Sequence, residues 1–248
     1  MAQENEILDT CLIAGRIMVE SGSEMYRVED TMRRMAANAG AMNSQIFSTP
    51  TGLLMALPTQ DAVQIQQVTM RTINLEKVDR VNDLSRQFAE HQVTLKQLHQ
   101  RLTMLDHDVP FFPVWLQIMA AALVSCTLMI IYGGVWADFI QSAVVGAVGY
   151  AVFYFIREHL AVSFLSEFMA AFTIGFLAWV LVHWHFGQSL DMIIIGAVMP
   201  LVPGVAITNA VRDMLAGHLL SGIARGMEAL FSVGAIGIGI ALIFRFFS

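Results

Sequence analysis

Five long apolar segments follow Pro110, and each has close to the roughly 20 residues that an α-helix needs to cross the hydrocarbon core of a bilayer. In hydrocarbon every backbone polar group needs an internal partner, which a helix supplies. The segments run from about Val114 to Tyr132, Phe139 to Ile156, Leu165 to Trp184, Met192 to Val211 and Ile223 to Phe247. The sequence therefore predicts an α-helical integral membrane protein with five transmembrane helices in residues 110–248.

Charged residues are concentrated before these segments. Only 14% of the chain is charged, against roughly 25% in a typical soluble domain. Ten of its 14 Lys and Arg nevertheless lie in residues 1–109, together with 14 Asp and Glu. The net negative charge of this stretch argues against a nucleic-acid partner. We expect residues 1–109 to form a water-soluble domain that precedes the membrane part.

Helical patterns begin and end this domain. Apolar residues recur at helical spacing over Ile7–Ile17, and Ser21–Glu24 has the S-x-x-E pattern that caps a second helix. Gly40 suits the carboxyl end of that second helix. Leucines over Leu75–Leu105 return to helical spacing.

Between the helical patterns the sequence favours strands. Gln45–Leu57 and Val63–Ile73 are rich in β-branched and apolar residues, and Pro58–Asp61 separates them as a turn. The sequence therefore predicts a small α+β domain, with one hairpin packed against helices.

The connections between the apolar segments indicate orientation. Residues 133–138 and 185–191 carry no Lys or Arg, whereas Arg157 lies in the second connection and Arg212 and Arg225 flank the fourth. Basic connections stay on the cytoplasmic side. We expect a multi-pass protein of the cell membrane with its amino-terminal domain in the cytoplasm. The first residues lack the basic and apolar regions of a signal peptide, so we expect none.

The sequence patterns of common enzymes are absent. The chain has no G-x-S-x-G, H-E-x-x-H or G-x-x-x-x-G-K-[ST] motif, so we expect neither catalysis nor a cofactor. His183 and His185 are two residues apart and point to different sides of a helix, which argues against a metal site. Cys11 and Cys126 fall in regions of different polarity, so we expect no disulfide framework.

Two prolines interrupt the fourth apolar segment. Pro200 and Pro203 lack a backbone N–H, which frees the carbonyls of Gly196 and Met199 four residues earlier. Broken membrane helices survive where they line a cavity or meet another helix. This segment is therefore the first place in which we expect a substrate, and the two freed carbonyls are candidate acceptors for a substrate ammonium.

Several stretches are similar to a known family. They are Gly22–Thr31, Phe47–Gly52, Pro200–Gly204, Asn209–Asp213 with Gly217–His218, and Ser221–Arg225. In this order they resemble the threonine/serine exporter family. The resemblance implies a cytoplasmic amino-terminal domain followed by five membrane helices. It also implies transport driven by the ion gradient across the membrane, usually export of small polar amino acids.

The number of spans bears on assembly. The longer members of the family carry a second set of membrane helices, whereas this chain has one set and resembles the split form with a separate second component. Transporters commonly place the substrate between two repeats, and a single five-helix unit lacks its counterpart. We therefore expect a second small membrane protein as partner, or else a homo-oligomer.

The polar residues after the prolines define a candidate substrate site. Gly204, Thr208 and Arg212 are spaced by four residues, as are Asn209 and Asp213, so that two adjacent stripes lie below the break with its Pro200 and Pro203. Arg212 suits a substrate carboxylate and Asp213 an ammonium. Thr208 and Asn209 suit a hydroxyl. The alternative is that Arg212 and Asp213 only anchor the cytoplasmic end of the fourth span.

Carboxylates near the membrane are candidates for ion coupling. Besides Asp213, Glu167 lies two residues into the third predicted span, where an acid is a default candidate for proton transfer. An interfacial carboxylate without a coupling role is the alternative. Asp138 and Asp191 lie near the outer ends and rank lower.

Two other functions remain open from the residues alone. Thr, Asn, Arg and Asp side chains would also suit a small organic acid, and a membrane-anchored scaffold or sensor without transport is the second alternative. An anchor would need only one or two spans and no proline-broken helix. We therefore expect an exporter of small polar amino acids such as threonine or serine.

Overall fold

The computed structural model describes residues 2–58, 63–69, 72–108, 112–160, 162 and 164–247. In chain order the elements are α1 (Ala2–Glu20), α2 (Met25–Asn38), β1 (Gln45–Thr49), β2 (Gly52–Ala56), β3 (Val63–Gln67), α3 (Leu75–Ala89), α4 (Leu95–Asp108), α5 (Val114–Ile131), α6 (Phe139–Leu160), α7 (Leu165–His183), α8 (Leu190–Val198), α9 (Gly204–Leu215) and α10 (Leu219–Phe247). Short 3-10 turns at Trp136–Asp138 and Met199–Leu201 precede α6 and follow α8.

The chain divides into two compact units. The first contains Met1–Pro110 and Val205–Met227, and the second contains Phe111–Gly204 and Glu228–Ser248. A unit boundary therefore falls near residue 110. The first unit also takes in 205–227, which the apolar pattern assigns to the membrane domain. The reason is that polar side chains of this stretch bond to the loop before α2.

The first unit has a methionine-rich core. Helix α1 packs against α2, α3, α4 and the sheet. The largest fully buried side chains of the core are Leu8, Ile17, Met18, Met25, Met32, Met35, Leu53, Met55, Leu57, Leu98 and Leu102. Removing such a side chain from water stabilises the fold by about 1.5–3 kcal/mol each. The unbranched Met side chains fill irregular gaps between helix and sheet.

Helix α2 begins and ends for different reasons. Its apolar residues Met25, Val28, Met32 and Met35 are buried on one face, as their spacing predicts. The predicted S-x-x-E cap is wrong, because Glu24 itself is the N-cap residue and makes no side-chain capping bond. At the other end Gly40 has φ +92°, which suits glycine and confirms the predicted stop.

The sheet has one strand more than the sequence predicts. β1, β2 and β3 form an antiparallel meander in that order, with Thr49 opposite Gly52 across a tight turn. Thr49 Oγ1 accepts from the Gly52 N–H at 3.1 Å and donates to the Gly52 carbonyl at 2.9 Å. The single strand predicted over Gln45–Leu57 is therefore a hairpin of its own, because Pro50 suits a turn. Most of the predicted turn at Pro58–Asp61 lies outside the described residues.

The second unit consists of apolar helices. Four helices of the described chain are long and apolar enough to cross a membrane: Val114–Ile131, Trp136–Leu160, Leu165–His183 and Leu219–Phe247. A fifth span is counted only if the broken pair Leu190–Leu201 and Gly204–Leu215 crosses as one. The architecture is that of a multi-pass helical membrane protein with four or five spans.

The break in the fourth apolar segment satisfies its own backbone. The Met199 N–H donates to the Gly196 carbonyl, and the Val202 N–H donates to the Met199 carbonyl at 3.2 Å. The prediction that both carbonyls are left without a donor is therefore wrong. A 3-10 turn replaces the two N–H groups that the prolines lack with donors one residue closer.

Small residues allow close helix packing in this unit. A Cβ on Gly196 would lie 2.5 Å from Met129 Cβ, and one on Gly146 would lie 2.0 Å from Ser125 Oγ, so α5 lies close to α6 and α8. On α10, a Cβ on Gly239 would lie 2.7 Å from the Phe168 carbonyl oxygen of α7. Gly237 has no atom within 4 Å of that position. The glycines of α10 therefore differ in role.

Candidate functional site

A cluster of polar side chains lies inside the first compact unit. It joins the loop before α2 to α9 and to the first turns of α10. We call it the polar cluster, and its members are Ser23, Glu24, Glu29, Ser48, Asn209, Arg212, Asp213, His218, Ser221 and Arg225. Seven of them, including Asp213 and Arg225, are buried. Buried charges of this kind persist only when they are paired.

Three hydrogen bonds hold the backbone of Gly22–Met25. Asn209 Nδ2 donates to the Gly22 carbonyl at 2.8 Å, and Arg225 Nη2 donates to the Ser23 carbonyl at 2.7 Å. The Met25 N–H donates to Asp213 Oδ1 at 2.8 Å. Gly22 has φ +87°, a conformation that glycine adopts without strain and that turns the chain between α1 and α2. Side chains distant in sequence therefore fix a short loop.

An ion pair lies beside this loop. Arg212 Nη1 is 2.6 Å from Glu24 Oε1, and Arg27 Nη1 is 3.5 Å from Glu24 Oε2. Burial disfavours the charged form of Glu24. The hydrogen bonds that its carboxylate accepts from its own N–H and from Arg212, with the charge of Arg27, outweigh burial and hold the pKa of that carboxyl below its ordinary value. Glu24 is therefore ionised at neutral pH.

The bonds around Asp213 are asymmetric. Its Oδ1 accepts from Met25, whereas its Oδ2 lies 3.5 Å from Arg225 Nη1 and makes no hydrogen bond to the residues that the structure describes. Asp213 is fully buried. The hydroxyl of Ser23 is also buried and makes no hydrogen bond within the described chain. Two buried polar atoms of the cluster therefore have unused hydrogen-bonding capacity.

A second group of polar residues surrounds Glu29. Ser48 Oγ donates to Glu29 Oε1 at 2.7 Å, and His218 Nδ1 lies 3.7 Å from the same oxygen. Ser221 Oγ is 3.5 Å from the Ser48 carbonyl. This group links α2, the end of β1 and the start of α10. It extends the polar cluster toward the sheet.

The structure separates the predicted site residues into two groups. Asn209, Arg212 and Asp213 belong to the first unit and contact the Gly22–Met25 loop. Thr208 belongs to the same unit and is exposed. Pro200, Pro203 and Gly204 belong to the second unit. Both the substrate role and the anchoring role of Arg212 and Asp213 remain proposals.

Several residues of the cluster escaped the site prediction. These are Ser23, Glu24, Glu29, Ser48, His218, Ser221 and Arg225. All of them lie in stretches that carry the family resemblance, and that resemblance could have identified them as site residues. Spacing along one helix cannot find them, because they reach the cluster from other elements.

Other predicted acids lie in the second unit. Glu167 is half-buried, with Ser166 Oγ donating to its Oε2 at 2.7 Å and Ser232 Oγ lying 3.4 Å from its Oε1. Asp138 is fully buried and accepts from the N–H groups of Gln188 at 2.7 Å and Ser189 at 2.9 Å. These bonds hold a turn, which gives Asp138 a structural role. Asp191 is exposed in the first turn of α8. Glu228, within α10, is a further acid of this unit that the site prediction omitted.

Metal-binding side chains do not cluster in the described chain. Within the described ranges no three His, Cys, Asp or Glu side chains are grouped so as to hold a metal ion. Cys11 and Cys126 are both buried free thiols.

The fold and the cluster define a class: multi-pass helical membrane proteins with a folded α+β unit before the first apolar helix. The chain belongs to the threonine/serine exporter family, because the model of the family described as "Putative threonine/serine exporter" matches residues 9–247. The family is one of membrane exporters, and the chain shares the apolar helices that such a role requires.

Two kinds of curated relative match the chain. A Mycobacterium tuberculosis protein described as "Probable threonine/serine exporter" is 22% identical over 97% of this chain and 46% of its own length. The Escherichia coli protein described as "Probable succinate transporter subunit YjjP" is 24% identical over 97% of this chain and 94% of its own length. The Klebsiella aerogenes protein of the same description is also 24% identical. The chain thus spans about half the length of the mycobacterial relative. No solved structure gives a significant match.

Proposed function

We propose that the chain is one subunit of a membrane exporter for threonine or serine, driven by the ion gradient and completed by a second membrane subunit. The observation that carries this proposal is the family match over residues 9–247. It includes both the apolar helices and the polar cluster. The chain then acts by moving a substrate and not by catalysing a reaction.

The proposal of a second subunit is supported by the match to a relative that is itself described as a subunit. The chain matches 46% of the length of the mycobacterial relative but 94% of that of YjjP, which is described as a subunit. Transporters built from two repeats place the substrate between them. A chain with one set of four or five spans fits one half of such an arrangement. A homo-oligomer is the alternative way to supply the other half.

A small organic acid is the second candidate substrate. It is supported by the description of YjjP as a succinate transporter subunit and by the near full-length match to it. Threonine, serine and succinate share a carboxylate. Threonine and serine also carry an ammonium and a hydroxyl group, whereas succinate carries a second carboxylate. The substrate class can therefore be tested by comparing the transport of these molecules.

We place the substrate site at the polar cluster. Arg212 and Arg225 supply positive charge there, and Asn209 supplies an amide. Pro200 and Pro203 lie between α8 and α9, and Gly204 is the first residue of α9. Thr208 lies on the exposed side of α9. The basic residues near the connections support a cytoplasmic location for the first unit, and a substrate would then reach the cluster from that side.

The test is substrate exchange in vesicles. Proteoliposomes that contain this chain and its second subunit are preloaded with labelled threonine, serine or succinate, and release is followed after unlabelled substrate is added outside. We expect one substrate class to be released faster from these proteoliposomes than from preloaded vesicles without protein. An Arg225→Gln variant should reach the membrane in equal amount and release none. An Asp191→Asn variant serves as the control, because Asp191 is exposed and distant in sequence from the cluster.

Two outcomes would contradict the proposal. No release of any of the three substrates by the complete complex would favour a scaffold or sensor without transport. Full release by this chain alone, as a monomer, would remove the need for a partner.

A further inference from the structure

The amino end of α2 is capped by a carboxylate from a distant helix. Glu24 occupies the N-cap position but makes no capping bond with its side chain. The Met25 N–H, the first of the helix, donates instead to Asp213 Oδ1 at 2.8 Å. The first N–H groups of a helix point outward and carry partial positive charge, so they attract anions. Asp213 therefore occupies a position in which a free anion would also be favoured.

A full positive charge lies at the same position. Arg225 Nη1 is 3.5 Å from Asp213 Oδ2, and Arg225 Nη2 donates to the Ser23 carbonyl at 2.7 Å. Both Asp213 and Arg225 are buried. A guanidinium with a backbone N–H is a donor set with which proteins recognise carboxylates. The bond to Ser23 also fixes the guanidinium against the loop, which limits its freedom to follow Asp213.

The position is incompletely satisfied by Asp213. An ionised carboxylate can accept about four hydrogen bonds, yet Oδ2 accepts none from the described residues. The Ser23 hydroxyl is 1% exposed and likewise has no hydrogen-bond partner in the described chain. Permanently buried polar groups are nearly always paired. An unused donor and an unused acceptor in one buried cluster indicate that another arrangement of this cluster uses them.

We propose that Asp213 occupies the carboxylate position of the substrate site, and that a substrate carboxylate takes this position by replacing Asp213 at the Met25 N–H and Arg225. The inference rests on the proposed function and names the substrate group that the site recognises. Ser23 Oγ then donates to the incoming carboxylate. Asp213 is thus a competitor of the substrate and not the partner of its ammonium group.

Competition makes an unusual prediction for binding. Removing an ordinary binding residue weakens binding, whereas removing a competitor strengthens it. The probe is acetate, the smallest molecule with a carboxylate. We expect the full-length Asp213→Ala variant to bind acetate at least about tenfold more tightly than the wild-type chain. That factor corresponds to the free energy of one charge-assisted hydrogen bond. The same direction is expected for succinate and L-threonine.

The measurement is thermal unfolding of the purified chain in detergent as each probe is titrated. A ligand that binds only the folded state stabilises it by RT ln(1 + L/Kd), where L is the free ligand concentration, so that Tm rises once the ligand concentration exceeds Kd. Acetate should raise the Tm of Asp213→Ala and leave the wild type unchanged over the same range. Adding Arg225→Met to Asp213→Ala should abolish the effect. Asp30→Ala is the matched control, because Asp30 is an exposed acid on the same helix α2.

Asp213→Asn keeps the shape and removes the charge, so it replaces Asp213→Ala if that variant does not fold. Its gain in acetate affinity should be smaller but in the same direction. Equal or weaker acetate binding by both variants would overturn the inference. Loss of threonine binding with unchanged succinate binding would show that Asp213 contacts the ammonium group, and would also overturn it.

The two proposals fail differently. If the complete complex transports none of the three substrates while acetate still binds Asp213→Ala more tightly, the proposed function falls and the carboxylate position stands. If transport is found but Asp213→Ala gains no affinity, the proposed function stands and the carboxylate position falls.

Discussion

Arg212 Nη1 lies 2.6 Å from Glu24 Oε1, across 188 positions of the sequence. Glu24 is nearly buried, with 9% of its side chain exposed, whereas the Arg212 side chain is 56% exposed. The pair ties α9 to the loop that begins α2. Its contribution should therefore exceed that of a surface ion pair, although the exposed arginine limits it.

A double-mutant cycle measures this coupling. Glu24→Gln and Arg212→Gln should each lower the free energy of unfolding by about 1–2 kcal/mol, because each leaves a charge without its closest partner. The coupling energy should be about 1 kcal/mol. Glu76 and Arg80 are the matched control, since they are also 2.6 Å apart but more than half exposed. Their coupling should be about 0.3–0.5 kcal/mol. Equal coupling for the two pairs would contradict the prediction.

The pH dependence of stability should reveal Glu24. Its folded pKa lies below the unfolded value of about 4.3. The contribution of the carboxylate is therefore fully present above about pH 4.3 and is lost as pH falls through the lower, folded pKa. Thermal unfolding of wild type and Glu24→Gln should differ at neutral pH, and the difference should shrink in acid. A difference in Tm between wild type and Glu24→Gln that grows below about pH 4 would contradict the predicted loss of stability in acid.

Cys11 should be chemically inert in the folded chain. Burial raises the pKa of its thiol to about 12, so that almost no thiolate exists at neutral pH. In a Cys126→Ala background, maleimide should label Cys11 only after unfolding. The unfolded thiol has a pKa of about 8.5, so the stability that the neutral thiol contributes is lost as pH rises above that value. Rapid labelling of the native protein would show that the amino-terminal unit opens.

Two glycines of α10 should respond in opposite ways to substitution by alanine. A Cβ at Gly239 would lie 2.7 Å from the Phe168 carbonyl oxygen and 3.0 Å from the Phe172 backbone nitrogen, so α7 would have to move. Gly239→Ala should lower the unfolding free energy by about 1–3 kcal/mol. Gly237→Ala meets nothing within 4 Å and should raise stability by up to about 1 kcal/mol. Thermal unfolding in detergent measures the change in Tm for each variant. Equal changes would contradict the close contact between Gly239 and α7.

Glu167 should reveal the coupling ion. If it carries the proton, Glu167→Gln should abolish the dependence of transport on an imposed pH gradient while exchange of substrate persists, because exchange needs no net proton movement. Asp191→Asn is the control, since that acid is exposed at the start of α8. Unchanged pH-gradient dependence in Glu167→Gln would favour the interfacial alternative.

Sequence patterns anticipated the helices better than the sheet and the site. The apolar stripe of α2 and the stop at Gly40 follow from local spacing and backbone preference, and both are confirmed. The turn between Thr49 and Gly52 divided a stretch whose composition alone favoured one long strand. At the prolines, local reasoning found the missing donors but not the 3-10 turn that replaces them.

The sequence by itself determined the class and the family, because membrane partition depends on hydropathy summed over local segments and family motifs are read in order along the chain. Only the tertiary structure decided what the motif residues contact. Asp213 and Arg212 share a helix and were interpreted together, yet one caps α2 and the other pairs with Glu24. Partners so distant in sequence are chosen by packing and by the need to pair buried charges, and neither leaves a local pattern.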